Sequence, residues 1–135
     1  MQQKILVVDD EPDYVDLISW VLEKNGFSVE SAHDGLDGLN KARAIQPDLI
    51  LLDFMLPELD GAEVCEILRH LPSTASIPVL MLTGCSTEER RRSAVKAGVN
   101  DYLIKPCDAP VLLGRIHSML SERRDIERLA ESQED

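Results

Sequence analysis

The chain has 135 residues, 44% of them apolar and 29% charged, which suits one globular domain with a real core and leaves little for a second. Its formal net charge is −11 and its one dense basic run is Arg90, Arg91 and Arg92, so direct binding to nucleic acid or to an anionic membrane surface is disfavoured. No apolar run approaches the roughly 18 residues of a membrane span, and the first four residues lack a signal-peptide layout.

The first apolar run, residues 5–8, is unbroken, the pattern of a strand buried on both faces. After it Val15, Ile18 and Leu22 recur at helical spacing, and Gly26 supplies a stop. A second strand is expected over residues 27–30. A second helix follows, with Leu39, Ala42, Ala44 and Ile45 as its stripe, closed before Pro47. Residues 49–52 are again unbroken and read as a buried strand. Val64, Ile67, Leu68 and Leu71 mark a third helix ending at Pro72. Residues 79–82 are the fourth strand. Ser86 and Glu89 form a capping box that starts a fourth helix, stopped by Gly98. Residues 102–104 are the fifth strand, and a fifth helix starts near Asp108 with Pro110 tolerated in its first turn.

Residues 121–135 are charge-rich, with Ile126 and Leu129 as their only large apolar residues. Leu112, Ile116, Met119 and Ile126 keep a three-to-four spacing that Arg123 interrupts. Two readings stay open: a solvated tail, or a helical extension serving as linker or dimer contact. Residues 1–120 form the domain in either case.

Strand and helix alternate five times. That order predicts an α/β domain, a flavodoxin-like (βα)5 doubly wound parallel sheet with strand order 2-1-3-4-5 and a crevice at the C-terminal ends of strands 1 and 3. Asp9 and Asp10 follow strand 1, Asp53 follows strand 3, Thr83 ends strand 4 and Lys105 follows strand 5. Three carboxylates from distant parts of the chain are thus expected in one crevice. They repel, and a bound cation or protonation relieves them; oxygen ligands suit a hard ion such as Mg²⁺. A carboxylate nucleophile, a metal site, a lysine and a hydroxyl together suit acceptance of a phosphoryl group. Each residue alone has a plainer reading. Asp9 or Asp10 could cap the helix near Pro12, Asp53 could be a loop carboxylate, Thr83 an ordinary strand residue and Lys105 a surface lysine. The joint placement is what favours a site.

Four stretches, ILVVDDEPD at 5–13, PDLILLDFMLPELDG at 47–61, PVLMLTG at 78–84 and NDYLIKP at 100–106, resemble in order and spacing the response-regulator receiver domain of two-component signalling. The resemblance runs from about Lys4 to about Leu120. It implies that Asp53 is the phosphoacceptor, that Asp10 is a direct Mg²⁺ ligand, that Asp9 acts through water, and that the Met55 backbone carbonyl and Asp53 complete the metal set, with Mn²⁺ as a substitute. It implies that Thr83 and Lys105 contact the phosphoryl group and that the Lys105–Pro106 bond is cis. Thr83 and Tyr102 stand at the family's switch positions, which couple the site to the fourth helix, fifth strand and fifth helix. Tyr102 and the arginine run are then expected on the partner-facing surface, the same face serving a homodimer. The implied protein is a cytoplasmic switch, not a turnover enzyme. Its phosphodonor is a histidine kinase or phosphotransfer protein, and its output passes to a protein target or a fused output domain.

Cys65, Cys85 and Cys107 form no CxxC pair of the kind that holds zinc, and free thiols fit a reducing compartment. Apolar or weakly polar groups at Cys85 and Met55 are expected to slow attack by water on the phosphoryl group, although Cys85 could simply pack. His33, His70 and His117 lie outside the strand-end cluster and read as surface or packing residues, so the donor is another protein. A haloacid-dehalogenase-type phosphatase needs a second aspartate two residues after its nucleophile, where Met55 stands. A flavodoxin-type carrier needs a hydroxyl- and glycine-rich loop after strand 1, where this chain has DDEPD. GxGxxG and GxxxxGK[ST] are absent.

Overall fold

The computed structural model describes residues 2–84 and 87–133. Five strands, β1 (Lys4–Val8), β2 (Ser28–Ala32), β3 (Leu49–Leu52), β4 (Val79–Thr83) and β5 (Asp101–Ile104), alternate with five helices, α1 (Pro12–Lys24), α2 (Gly35–Ile45), α3 (Gly61–His70), α4 (Glu88–Ala97) and α5 (Ala109–Gln133). All strand pairs are parallel, in the order β2-β1-β3-β4-β5. The central strands are the apolar runs, and every residue of β3 and β4 is buried. One buried cluster lies on each face of the sheet: Leu6, Ile50, Met81 and their neighbours pack against α2, α3 and α4, while Ile5, Leu51 and Leu80 pack against α1 and α5.

The edge strands differ from the sequence expectation. β2 occupies residues 28–32 rather than 27–30, because its extent follows its pairing with β1, from Lys4 opposite Ser28 to Val8 opposite Ala32. Phe27 is instead buried just after the Gly26 turn, where φ is +91°. β5 begins one residue early, since Asp101 pairs with Leu80.

Helix ends follow local chemistry. Glu11, not Asp9 or Asp10, is the N-cap of α1, and its side chain makes no capping bond. Asp34 caps α2, and Asp60 with Glu63 forms a capping box on α3. The cap of α4 is Thr87, whose hydroxyl accepts from Arg90 N at 3.1 Å, rather than the expected Ser86, which lies outside the described residues. Two stripes also differ. Ala44 is exposed on α2, and on α3 Cys65 takes the inward place assigned to Ile67, which is exposed. α4 is weakly anchored: Ala94 is its one buried residue. α5 runs without a break to Gln133, so residues 121–133 continue the helix. Its stripe Leu112, Ile116 and Met119 is buried, but Ile126 is exposed because the helix has by then passed the end of the sheet.

Candidate functional site

Val8 and Leu52 stand opposite each other at the ends of adjacent parallel strands, so the next residues, Asp9 and Asp53, leave the sheet side by side. The Asp53 N–H donates to Val8 O and the Asp9 N–H to Ala32 O, both at 3.0 Å, which extends the ladder by one residue. Thr83 pairs with Ile104 in the same way, and Lys105 follows with its N–H on Thr83 O at 2.9 Å. Register alone brings Asp9, Asp53, Thr83 and Lys105 to one edge. Asp9, Asp53 and Thr83 are all buried.

The Lys105 ammonium bridges the two buried carboxylates. Its Nζ lies 2.6 Å from Asp9 Oδ2, 3.0 Å from Asp53 Oδ2 and 3.5 Å from Glu11 Oε1. Burial by itself would pull the lysine pKa down, but the hydrogen bonds and charges of Asp9 and Asp53 outweigh it and hold the ammonium protonated. For Asp9, burial outweighs its bonds to Lys105 and to Glu11 N–H, and its pKa is raised. Tyr14 of α1 lays its ring against the same ammonium, with Nζ 4.2 Å from the centroid. Burial, then the neighbouring Cys107, pushes its phenol up to about 12.

Asp10 is exposed, yet carboxylate oxygens of Asp9, Asp10, Glu11 and Asp53 all lie within 4.8 Å of one another. Four hard oxygen donors so close together fit a divalent cation. The loop after Asp53 is held tightly. Met55 N–H donates to Asp53 Oδ1 at 3.1 Å, Gly61 N–H donates to Phe54 O at 2.8 Å, and Glu58 turns the chain with φ +68°. A Cβ on Gly61 would collide with Asp53 O and sit 2.8 Å from Phe54 Cα, so only glycine fits against the backbone here. The Lys105–Pro106 peptide is cis.

Tyr102 packs on the α4 side of the sheet, and its hydroxyl is buried with no hydrogen-bond partner among the described residues. The arginine run divides. Arg91 and Arg92 are exposed, whereas Arg90 turns inward, its guanidinium 5.6 Å from the Phe54 ring centroid and its Nη1 buried without a partner among the described residues. The expectation that the whole arginine run lies on the partner-facing surface is therefore corrected for Arg90, because a helix cannot point three successive side chains the same way, while Tyr102 stands half-buried on β5. His33, His70 and His117 are exposed. Cys85 lies outside the described residues.

Sequence reasoning missed three residues. Glu11 completes the acidic group, and the run DDE after a strand was its signal. Tyr14 had no signal, since it reads as one more helix residue. Arg69 donates to Gly98 O, Ala75 O, Ile77 O and Asn100 Oδ1 at 2.7–3.1 Å, tying α3 to the segments before β4 and β5.

Comparison with known proteins fits this geometry. The family model described as the response regulator receiver domain matches residues 5–117. The DNA-binding dual master transcriptional regulator RpaA of Synechocystis sp. (strain ATCC 27184 / PCC 6803 / Kazusa) is 42% identical over 131 residues, covering 97% of this chain and 54% of that protein. The alkaline phosphatase synthesis transcriptional regulatory protein PhoP of Bacillus subtilis (strain 168) is 42% identical over 120 residues, covering 89% of this chain and 49% of that protein. The chain thus spans about half the length of these curated relatives. The crystal structure of a CheY-like response regulator receiver domain protein from Methanospirillum hungatei JF-1 superposes with a TM-score of 0.88 at 30% identity, covering 93% of this chain and 98% of that one. With its five parallel strands in the order 2-1-3-4-5 and its acidic strand-end cluster, the chain belongs to the response-regulator receiver domains of two-component signalling.

Proposed function

We propose that this receiver accepts a phosphoryl group on Asp53 from a histidine kinase or phosphotransfer protein. The observation that carries the reading is the Lys105 ammonium held between Asp9 and Asp53 beside two further carboxylates. Asp9, Asp10, Asp53 and the Met55 carbonyl would hold Mg²⁺, or Mn²⁺ in its place. When bound, the ion neutralises phosphoryl oxygens and offsets repulsion within the cluster. A carboxylate oxygen of Asp53 attacks phosphorus, the bond from phosphorus to the donor breaks, and the leaving group departs with that electron pair. The Lys105 ammonium, still protonated, donates to a phosphoryl oxygen in place of Asp53 and the Thr83 hydroxyl donates to another. Nothing turns over, since the phosphoryl group stays on the protein until water removes it. Met55, exposed beside the acceptor, shields it from that water.

The switch runs through Thr83 and Tyr102. A hydroxyl drawn toward the phosphoryl group biases the weakly anchored α4 and the ring of Tyr102, and so the α4–β5–α5 face. Val95, Ile104 and Val111 are exposed there beside the Asp101–Arg115 ion pair, which favours a homodimer or a protein target on that face. Residues 1–120 are the switching unit, and residues 121–133 extend α5 toward a partner or a fused output domain, the DNA-binding relative RpaA being about twice as long as the matched stretch. The test is incubation with Mg²⁺ and acetyl phosphate, comparing wild type and Asp53→Asn by intact mass. A phosphoryl adduct on wild type alone is expected; an adduct on both, or on neither, refutes the assignment.

A further inference from the structure

We propose that Tyr14 is a positioning residue for Lys105, its ring face forming a wall that keeps the ammonium at the acceptor while its partner Asp53 is esterified. The inference rests on Asp53 being the phosphoacceptor. Lys105 is almost enclosed, with 10% of its side chain exposed, and the enclosure has two kinds of wall. The Asp9 and Asp53 carboxylates, at 2.6 and 3.0 Å, bind the ammonium through directional hydrogen bonds. The Tyr14 ring, 4.2 Å away, attracts it through the quadrupole of the ring face, which tolerates sideways movement.

That difference matters in the reaction. Esterification of Asp53 removes its formal charge and places negative charge on the phosphoryl oxygens farther from the sheet. A cation shared by Asp9 and Asp53 loses one partner outright and must pass to the new oxygens. Asp9 also stays, but the metal would engage it too, and the ring is the uncharged wall that the chemistry leaves unchanged. It is well fixed for this purpose: Tyr14 lies in the first turn of α1, immediately before the buried Val15, and packs against the cluster on the α1 and α5 side of the sheet. The ammonium meets the ring face, and the hydroxyl makes no hydrogen bond among the described residues, so the ring face and not the phenol is the functional part.

The experiment compares wild type, Tyr14→Phe and Tyr14→Leu, with Tyr14→Met as a second variant without an aromatic face should leucine cost folding. Phosphorylation of Asp53 is followed by intact mass at saturating Mg²⁺ and acetyl phosphate, and the Lys105 Cε–Hε signals by NMR. Phenylalanine is expected to retain the wild-type rate within about twofold, and leucine or methionine to lose about tenfold, the scale of a desolvated cation–π contact. Upfield ring-current shifts of the Lys105 signals are expected in the wild type and the phenylalanine variant and not in the others. A leucine or methionine variant that phosphorylates at the wild-type rate, a phenylalanine variant as slow as leucine, or wild-type Lys105 signals without a ring-current shift overturns the proposal alone. Wild type that takes no phosphoryl group overturns the acceptor reading, and this proposal with it.

Discussion

Replacing Gly61 by alanine tests how tightly the acceptor loop is built. The added Cβ would overlap Asp53 O and lie 2.8 Å from Phe54 Cα and 3.0 Å from Asp53 C, all backbone atoms that no rotamer change can move. Overpacking of this kind costs about 1–3 kcal/mol. Alanine's better helix propensity returns little at the first residue of α3, where the full cost of glycine, about 1 kcal/mol in a helix interior, does not apply. A net loss of about 2 kcal/mol is expected, or a Tm lower by about 6–8 °C for a domain of this size. Two glycines serve as controls. A Cβ on Gly38 would meet only the Val8 side-chain methyls at 3.0 Å, which can give way, so Gly38→Ala should cost less. Gly114, exposed within α5, has nothing within 4 Å, and Gly114→Ala should stabilise by about 0.5–1 kcal/mol. Urea unfolding of all three, with m-values compared, provides the measurement. The Gly61 variant should also phosphorylate more slowly, because the displaced atoms belong to Asp53. A Gly61→Ala protein with the wild-type midpoint, or an order of stability other than 114 above 38 above 61, would refute the steric argument.

Lys105→Met leaves Asp9 and Asp53 buried without their cation. We expect a loss of about 3 kcal/mol in metal-free buffer, slower phosphorylation and tighter Mg²⁺ binding, read by urea melts and calorimetric titration; unchanged Mg²⁺ affinity would argue against lysine and metal sharing these carboxylates. Arg69→Ala removes four hydrogen bonds to three backbone carbonyls and Asn100, and about 3 kcal/mol of stability should go with them. A loss below 1 kcal/mol in chemical denaturation would contradict that role. Arg90→Met exchanges a partly buried guanidinium, one nitrogen of which has no partner among the described residues, for a thioether against Phe54, and should stabilise by about 1 kcal/mol and slow hydrogen exchange in α4. Faster exchange there would reverse the argument.

Much of the molecule was legible because a doubly wound sheet writes itself plainly into a sequence. Strands buried on both faces must be apolar throughout, so residues 5–8, 49–52 and 79–82 stood out, and the carboxylates just past them had only one edge to occupy. Edge strands and helix faces were read less well. β2 carries Ser28, Glu30 and Ser31, and its limits come from backbone bonds to β1, which composition does not record.

Sequence by itself determined the order of elements, the sheet that this order allows, and the convergence of Asp9, Asp53, Thr83 and Lys105 at its C-terminal edge. Only the tertiary structure decided that Asp9 turns inward to Lys105 while Asp10 stays exposed, that Arg90 folds back onto Phe54, and that the Tyr14 ring covers the ammonium. Periodicity fixes which residues share a face, whereas burial and contact depend on what another part of the chain places opposite. Ile126 shows the difference: it keeps the stripe of Leu112, Ile116 and Met119, yet stands in solvent because the sheet ends before it.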